Sequence, residues 1–250
     1  MKIVSVLFVL ISFMSYSQSN RVPLSYFGFQ YQSVIPNNLV GEKTLTLTNE
    51  SFSSTTTQKV GYSAGATVRA GITELIAFET GINFTKRNFD INMQLPDSNL
   101  FVSDAFSFIE YSIPLNCLIY IKMTKEWYAN ASLGVAAIYK PSSVGRQINP
   151  EGLHSFIYEG YADFRKKIGL DFNGNVGFEY RTKKSGFFYL GGSVRIPFAP
   201  LFIMATQYKN QGNKLTAYGE VNGSYFSIDL KFFFPNMRSS GSSFKPGPIE

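Results

Sequence analysis

The sequence predicts an all-β fold of one particular kind: a transmembrane antiparallel β-barrel of eight strands, with short periplasmic turns and long extracellular loops. Three observations carry that expectation. Apolar and polar residues alternate with a period of two along most of the 250-residue chain, the pattern of strands with two chemically different faces. Charged residues make up only 16% of the chain, against about 25% in an average soluble domain, while aromatic residues also reach 16%. The connections between alternating segments are short and long in turn, as in bacterial outer-membrane barrels.

At the N-terminus, Lys2 precedes the apolar run Ile3 to Met14 and then Ser15-Tyr16-Ser17-Gln18. A basic residue, an apolar run and small residues at its end make a secretory signal peptide over residues 1–17, cut after Ser17. The run is shorter than the roughly 20 apolar residues that a spanning helix needs. A mean hydropathy of −0.02 excludes a helical membrane bundle. The single cysteine, Cys117, sits in an apolar run, so export is expected without a disulfide framework. The formal charge of +6 is not gathered into a stripe, and an exported protein meets little nucleic acid. No nucleic-acid partner is expected.

The barrel is expected over residues 18–235. Its first strand, Leu24 to Val34, sets Phe27, Phe29 and Tyr31 against Gly28, Gln30 and Gln32. The second, Val60 to Ile72, sets Tyr62, Ala64, Ala66 and Val68 against Gly61, Ser63, Gly65, Thr67 and Arg69. Leu75 to Asn88, Phe106 to Lys122 and Trp127 to Lys140 repeat the pattern, with Pro114 in the fourth strand marking a bulge or local break. Lys167 to Arg181, Phe188 to Phe198 and Tyr225 to Phe234 complete eight, and an even number closes an antiparallel barrel without an edge. The turns near Thr73-Glu74, Met123 to Glu126 and Thr182 to Gly186 are short. Ile35 to Lys59, Phe89 to Ala105, Pro141 to Lys166 and Ala199 to Asn222 read as long polar loops. Residues 236–250, rich in Ser, Gly and Pro, read as a disordered periplasmic tail.

Which face meets lipid follows from the polar side. A water-facing row would be rich in Lys and Glu, whereas here it holds Gly, Ser, Thr and Asn with isolated charges. Small polar residues suit the narrow interior of an eight-stranded barrel, so the aromatic and aliphatic residues face outward. Leu133 and Val176 are then lipid-facing, and Gly134 points inward with room for a serine. The inward charges are Arg69, Glu79, Arg87, Glu110, Asp171, Glu179, Arg181, Arg195, Asp229 and Lys231. Five acids and five bases in a closed barrel are expected to neutralise one another as a structural plug, because buried charges must be paired. A selective pore is the alternative reading of the same set.

Several stretches resemble the outer-membrane β-barrel family of Bacteroidota known as PorT-like. They are Gly61-Tyr62-Ser63-Ala64-Gly65, the run Phe78 to Thr85, Ile109-Glu110-Tyr111-Ser112-Ile113-Pro114-Leu115 and Ser132-Leu133-Gly134. A signal peptide that exposes Gln18 is also typical of that phylum. The resemblance covers Ser25 to Pro235 and implies an integral barrel in the cell outer membrane. Some members of the family assist type IX secretion or gliding, a role that does not carry over to this chain on these motifs.

No Gly-rich phosphate loop, Cys pair or His pair points to a nucleotide or metal, so no cofactor is expected. His154 and Ser155, with Glu151, Glu159 and Asp163, could in principle form a hydrolytic triad. Lipid deacylases of this kind keep such residues on the barrel wall, whereas His154 falls between Pro150 and Gly160 in a long loop. The expected function is therefore non-enzymatic: a structural or accessory barrel acting through its loops or flanks. Leu45 to Gln58 and Phe156 to Phe164 are the candidate surfaces. Expected partners are outer-membrane lipid, the assembly machinery during insertion, and a protein in a larger envelope complex. The alternatives are a small transporter with a lateral opening near Pro114 or Pro197/Pro200, and a lipid hydrolase using His154.

Overall fold

The computed structural model describes residues 25–73, 75–150, 152–161, 167–182 and 185–235. The expected signal peptide and the tail lie outside the described residues. Within them the chain forms thirteen antiparallel strands and one 3-10 turn, Pro96–Ser98. Eight of the strands close a ring: β1 (Ser25–Pro36), β3 (Phe52–Gly71), β4 (Ile76–Leu95), β5 (Leu100–Lys122), β6 (Trp127–Tyr139), β9 (Ile168–Arg181), β10 (Phe187–Pro197) and β13 (Tyr225–Phe233). The remaining five are β2 (Thr44–Asn49), β7 (Ser143–Ile148), β8 (Ser155–Tyr161), β11 (Phe202–Asn210) and β12 (Asn213–Val221).

The pairing β1–β3 joins the two ends of the main sheet, so no backbone edge is left in the wall. Partner by partner, the path runs from Ile35 through Phe226, Val194, Gly174, Leu133, Cys117, Phe78 and Ala70. It returns to β1 at Ser25, ten residues below its start. That stagger requires strongly tilted strands, about 35–45° from the axis, and a lumen only wide enough for side chains.

Each short turn is tied by a threonine. Thr73 Oγ1 accepts from the amides of Leu75 and Ile76 at 3.2 and 3.0 Å, and Thr124 Oγ1 accepts from Glu126 and Trp127 at 3.3 and 3.1 Å. Thr182 Oγ1 accepts from the Ser185 amide at 3.0 Å and donates to the Gly186 carbonyl. Side-chain hydroxyls that satisfy turn amides substitute for the Asn-Gly chemistry these turns lack.

The four long connections are not loops, which corrects the sequence reading. Residues 35–59 contain β2 and the upper part of β3, and 89–105 is a continuation of β4 and β5 around the 3-10 turn. Residues 141–166 and 199–222 supply β7, β8, β11 and β12, which form a separate sheet in the order β12-β11-β8-β7. The strands were missed because the alternation changes its chemistry while keeping its geometry. Along β4 the odd positions point inward throughout: Asn83, Thr85 and Arg87 in the barrel, then Phe89, Ile91, Met93 and Leu95 above it. The outward positions change in the opposite sense, from Ile82 and Phe84 to Asn88, Asp90, Asn92 and Gln94. Below, the outer face is apolar and the interior polar; above, the outer face is polar and the interior apolar.

β3 adjusts to this change with a bulge. Residues 52, 54, 56 and 58 are buried above it, and residues 61, 63, 67 and 69 below it. The register with β4 shifts between Lys59 and Tyr62, leaving Val60 and Gly61 opposite Arg87. A Cβ on Gly61 would press into the Lys86 carbonyl oxygen, so this position requires glycine. Pro114 produces no such shift. Pairing between β4 and β5 lapses at Gly81–Ile82 opposite Ile113–Pro114 and resumes in the same register.

Above the charged interior of the ring, Phe52, Phe89, Phe108, Phe156, Phe202 and Met204 form the centre of the largest apolar core in the described residues. It lies between the extended β2–β5 sheet and the β7-β8-β11-β12 sheet. The two sheets meet along two seams that carry no strand pairing. Asn49 Nδ2 donates to the Thr216 carbonyl at 2.8 Å across one seam, and Asp104 binds Arg146 and Tyr158 across the other.

Candidate functional site

The lumen is the candidate site, because it gathers the buried polar chemistry of the chain. Inward positions alternate on every ring strand, and the structure places all ten sequence-predicted charges on that inner face, each buried. Nine of them separate into two layers, with Asp229 between.

The lower layer lies near the short turns. Arg69 bonds Glu79 through Nε and Nη2 at 3.0 and 2.6 Å, and its Nη1 reaches Glu179. Glu179 also accepts from Arg181 Nε at 2.6 Å, and Glu79 from Lys231 Nζ. Three bases therefore share two carboxylates. Aromatic rings surround them: the Arg69 guanidinium lies 4.2 Å from the Phe233 ring, and that of Arg181 lies 4.1 Å from Tyr128. Cation–π contacts in a desolvated site add to the ion pairs.

The upper layer holds Arg87, Glu110, Asp171 and Arg195. Arg87 Nη1 stands 3.9 Å from Glu110 Oε2, and its Nη2 donates to the Gly223 carbonyl. Arg195 donates to Asn173 Oδ1 at 3.0 Å and to Ser112 Oγ at 3.3 Å. Both guanidinium groups lie over Tyr225, at 4.8 and 5.7 Å. Between the layers runs an amide belt. There Gln30 donates to Asn83, and Asp229 accepts from Asn175 Nδ2 at 2.8 Å and Ser227 Oγ at 2.6 Å.

Sequence reasoning missed Lys140. It is buried at the top of β6, and its Nζ donates to the Pro200 carbonyl at 3.0 Å. The signal was present, because 140 continues the inward series 128, 130, 132, 136 and 138. Also missed were Tyr120, Tyr128 and Tyr225, all buried, whereas Tyr189 already falls on the inward row of its strand in the sequence. Tyrosine on an inward position looks like an alternation error until the charges beneath it are known.

The lumen is filled. A residual polar cavity of about 30 Å3, bordered by Gln32, Asn116, Asp229 and Tyr225, has room for roughly one or two waters. The apolar core then closes the top.

The other candidates fall elsewhere. His154 Nδ1 lies 2.7 Å from the Tyr208 hydroxyl, with the two rings stacked at 6.0 Å, on the domain above the barrel. Glu159 is exposed on β8, and Glu151 and Asp163 lie outside the described residues, so no triad geometry is assembled among those described. Phe156 and Tyr158 are core residues rather than surface ones, which corrects part of the expected Phe156–Phe164 surface. At the β5–β7 seam, burial works to raise the Asp104 carboxyl, but hydrogen bonds from Tyr158 and the Ala105 amide, with Arg146, hold it below the ordinary carboxylate range. Burial, reinforced by Asp104, pushes the Tyr158 hydroxyl up to about 12.

The outer wall carries Leu115, Ile119, Leu133, Val176 and Leu190, all more than half exposed. Aromatic rings mark both ends of this band. Tyr62, Phe84 and Tyr111 follow one another at 5.8–6.3 Å near the top, with Tyr31 stacked beneath Tyr62. Phe27, Phe234, Phe232 and Phe188 follow at 5.0–6.0 Å near the bottom, where Trp127 also meets Tyr180. An apolar band between aromatic girdles, closed around a polar interior, defines an integral membrane β-barrel, here plugged by charge pairs. No protein-family model matches the chain, and no curated protein matches it. Among solved structures it is similar to the outer membrane protein OprG from Pseudomonas aeruginosa, at 10% identity over 85% of this chain and 96% of that one, with a TM-score of 0.47. It is also similar to the beta domain of the Bordetella autotransporter BrkA, at 9% identity over 86% and 99%, with a TM-score of 0.28. Both likenesses are weak, and the barrel assignment rests on the strand pairing itself.

Proposed function

We propose that this protein is a non-enzymatic barrel of the outer membrane that anchors a rigid β-domain outside the bilayer for contact with a protein partner. The observation that carries this reading is the contrast between the two halves. The lumen is packed with buried, paired charges, while five strands and most of the apolar core are devoted to the part beyond the membrane. A packed domain of this kind presents fixed surfaces, which suits an accessory subunit of an envelope complex.

The supporting surface is the outward face of β2–β5. Registered rows such as Thr46, Thr55, Asn92 and Ser103 run across four strands with little charge. Cross-linkers placed at Thr55 and Asn92 in native membranes are expected to capture one discrete protein, and cross-linkers at the lipid-facing Ile82 are not. If Thr55 and Asn92 yield no protein adduct, the accessory reading fails.

A further inference from the structure

The registered partners Phe29, Phe232, Phe188, Tyr180 and Trp127 set five aromatic side chains in one row across β1, β13, β10, β9 and β6 on the outer wall. Two residues further along each strand, Tyr31, Leu230, Leu190, Phe178 and Ala129 form the next outward row. Between the two rows lies a trough of about 610 Å3, bordered also by the inward residues Gln30, Tyr189 and Lys231. It crosses four strand spacings of about 4.8 Å, roughly 19 Å of wall.

The trough is inclined because its rows follow the register. A full circuit descends ten residues from Ile35 to Ser25. Half a circuit, at about 3.3 Å per residue and a tilt near 40°, therefore drops about 13 Å. The low end is Trp127, directly after the turn at residues 123–126, and so lies at the periplasmic interface. The high end lies at the bilayer centre: Phe29 stands about 13 Å and Tyr31, two residues further up the strand, about 18 Å from that interface, on either side of a centre at about 15 Å.

We propose that this trough is a binding site for one acyl chain of a zwitterionic phospholipid from the periplasmic leaflet. The proposal rests on the membrane reading above. A groove that starts at one interface and ends near the midplane fits a tail from that leaflet and no tail from the other. The headgroup end has matching chemistry. Tyr180 donates its hydroxyl to Glu126 at 3.2 Å, leaving the carboxylate exposed to meet an ammonium, and Lys125, one residue earlier, is exposed to meet a phosphate. Interfacial Trp and Tyr suit the glycerol region between them.

Trp127 is the only tryptophan in the chain, so its fluorescence reports on the site directly. Folded protein in mild detergent is titrated with phosphatidylethanolamine carrying brominated tails, which quench tryptophan on contact. Quenching is expected to saturate near one lipid per chain, with phosphatidylglycerol of the same tails at least fivefold weaker. Leu190→Phe combined with Leu230→Phe, both lining the trough, fills it and is expected to shift the titration at least fivefold, while the unboiled gel mobility of the folded barrel is kept. Ile82→Phe, on the wall at β4, is expected to leave it unchanged. Quenching that rises in proportion to the brominated fraction, alike in wild type and filled variant, would mean bulk lipid only and overturns the site. Absence of quenching even in fully brominated bilayers overturns the membrane reading with it.

Discussion

Glu179 is fully buried and bonded to two guanidinium groups, one of which, Arg69, also holds Glu79. Arg181 has its ion pair with Glu179. Glu179→Gln therefore orphans Arg181 more than Arg69. Removing one member of a buried pair costs about 3–5 kcal/mol, so the variant is expected to lose heat resistance in an unfolding gel. Arg181→Gln added to it should recover part of the loss, because the orphaned charge is then gone; no recovery would show that the layer is not held by this pair. On the outer wall, Leu133→Arg and Val176→Arg place a charge in lipid at a cost of about 2–4 kcal/mol and should impair assembly. The natural inward comparison, Gly134→Ser, is unsuitable. A Cβ at Gly134 would press into the Leu115 carbonyl and the Asn116 side chain, which corrects the expectation that serine fits there. Ser132→Ala, inward and one turn of the pleat away, is the appropriate control and should insert normally.

At the scale of elements, two features control how the strands meet. The bulge at Val60–Gly61 carries β3 from an interior of even-numbered residues to one of odd-numbered residues. Gly61→Ala cannot keep that geometry without moving the Lys86 backbone. It is expected to lower the unfolding temperature of the folded band, while Gly192→Ala on β10, where a Cβ finds ordinary space, should not. The second feature is the β5–β7 seam. Asp104 is held below the ordinary carboxylate range in the folded protein, so its stabilisation is present above about pH 4 and is lost as pH falls through the lower folded value. Hydrogen exchange over β7 and β8 should therefore rise on acidification. In Asp104→Asn it should be raised already at neutral pH and change little with acid. Equal acid responses in both proteins would place the sensitivity elsewhere.

For the whole molecule, the sequence of environments along the axis decides behaviour. A paired lower layer, an amide belt, a second charged layer and a dry apolar core follow one another with room for only a few waters. Planar-bilayer recordings of the folded protein should therefore show no stable conductance step. A step altered by Glu179→Gln without loss of heat resistance would show that the charges line a path. The lateral-transport alternative would need an opening in the wall, and the interruption opposite Pro114 keeps its register on both sides.

Period-two alternation is a property of neighbouring residues, so the sequence alone determined the strands of the wall, their faces, the three tight turns and the inward position of all ten charges. It could not determine which apolar face belongs to lipid and which to a core, because Phe84 and Phe89 are equally apolar and differ only in what surrounds them. For that reason β4 and β5 were expected to end where they pass from bilayer to water, and the five outer strands went unseen. Pairing partners were likewise out of reach. Glu179 meets Arg69 across 110 positions of chain, and Lys231 meets Glu79 across 152, through a ten-residue stagger that exists only once the ring has closed. Local chemistry is written in the chain, but the register that brings distant side chains together is set by closure, and only the tertiary structure decides it.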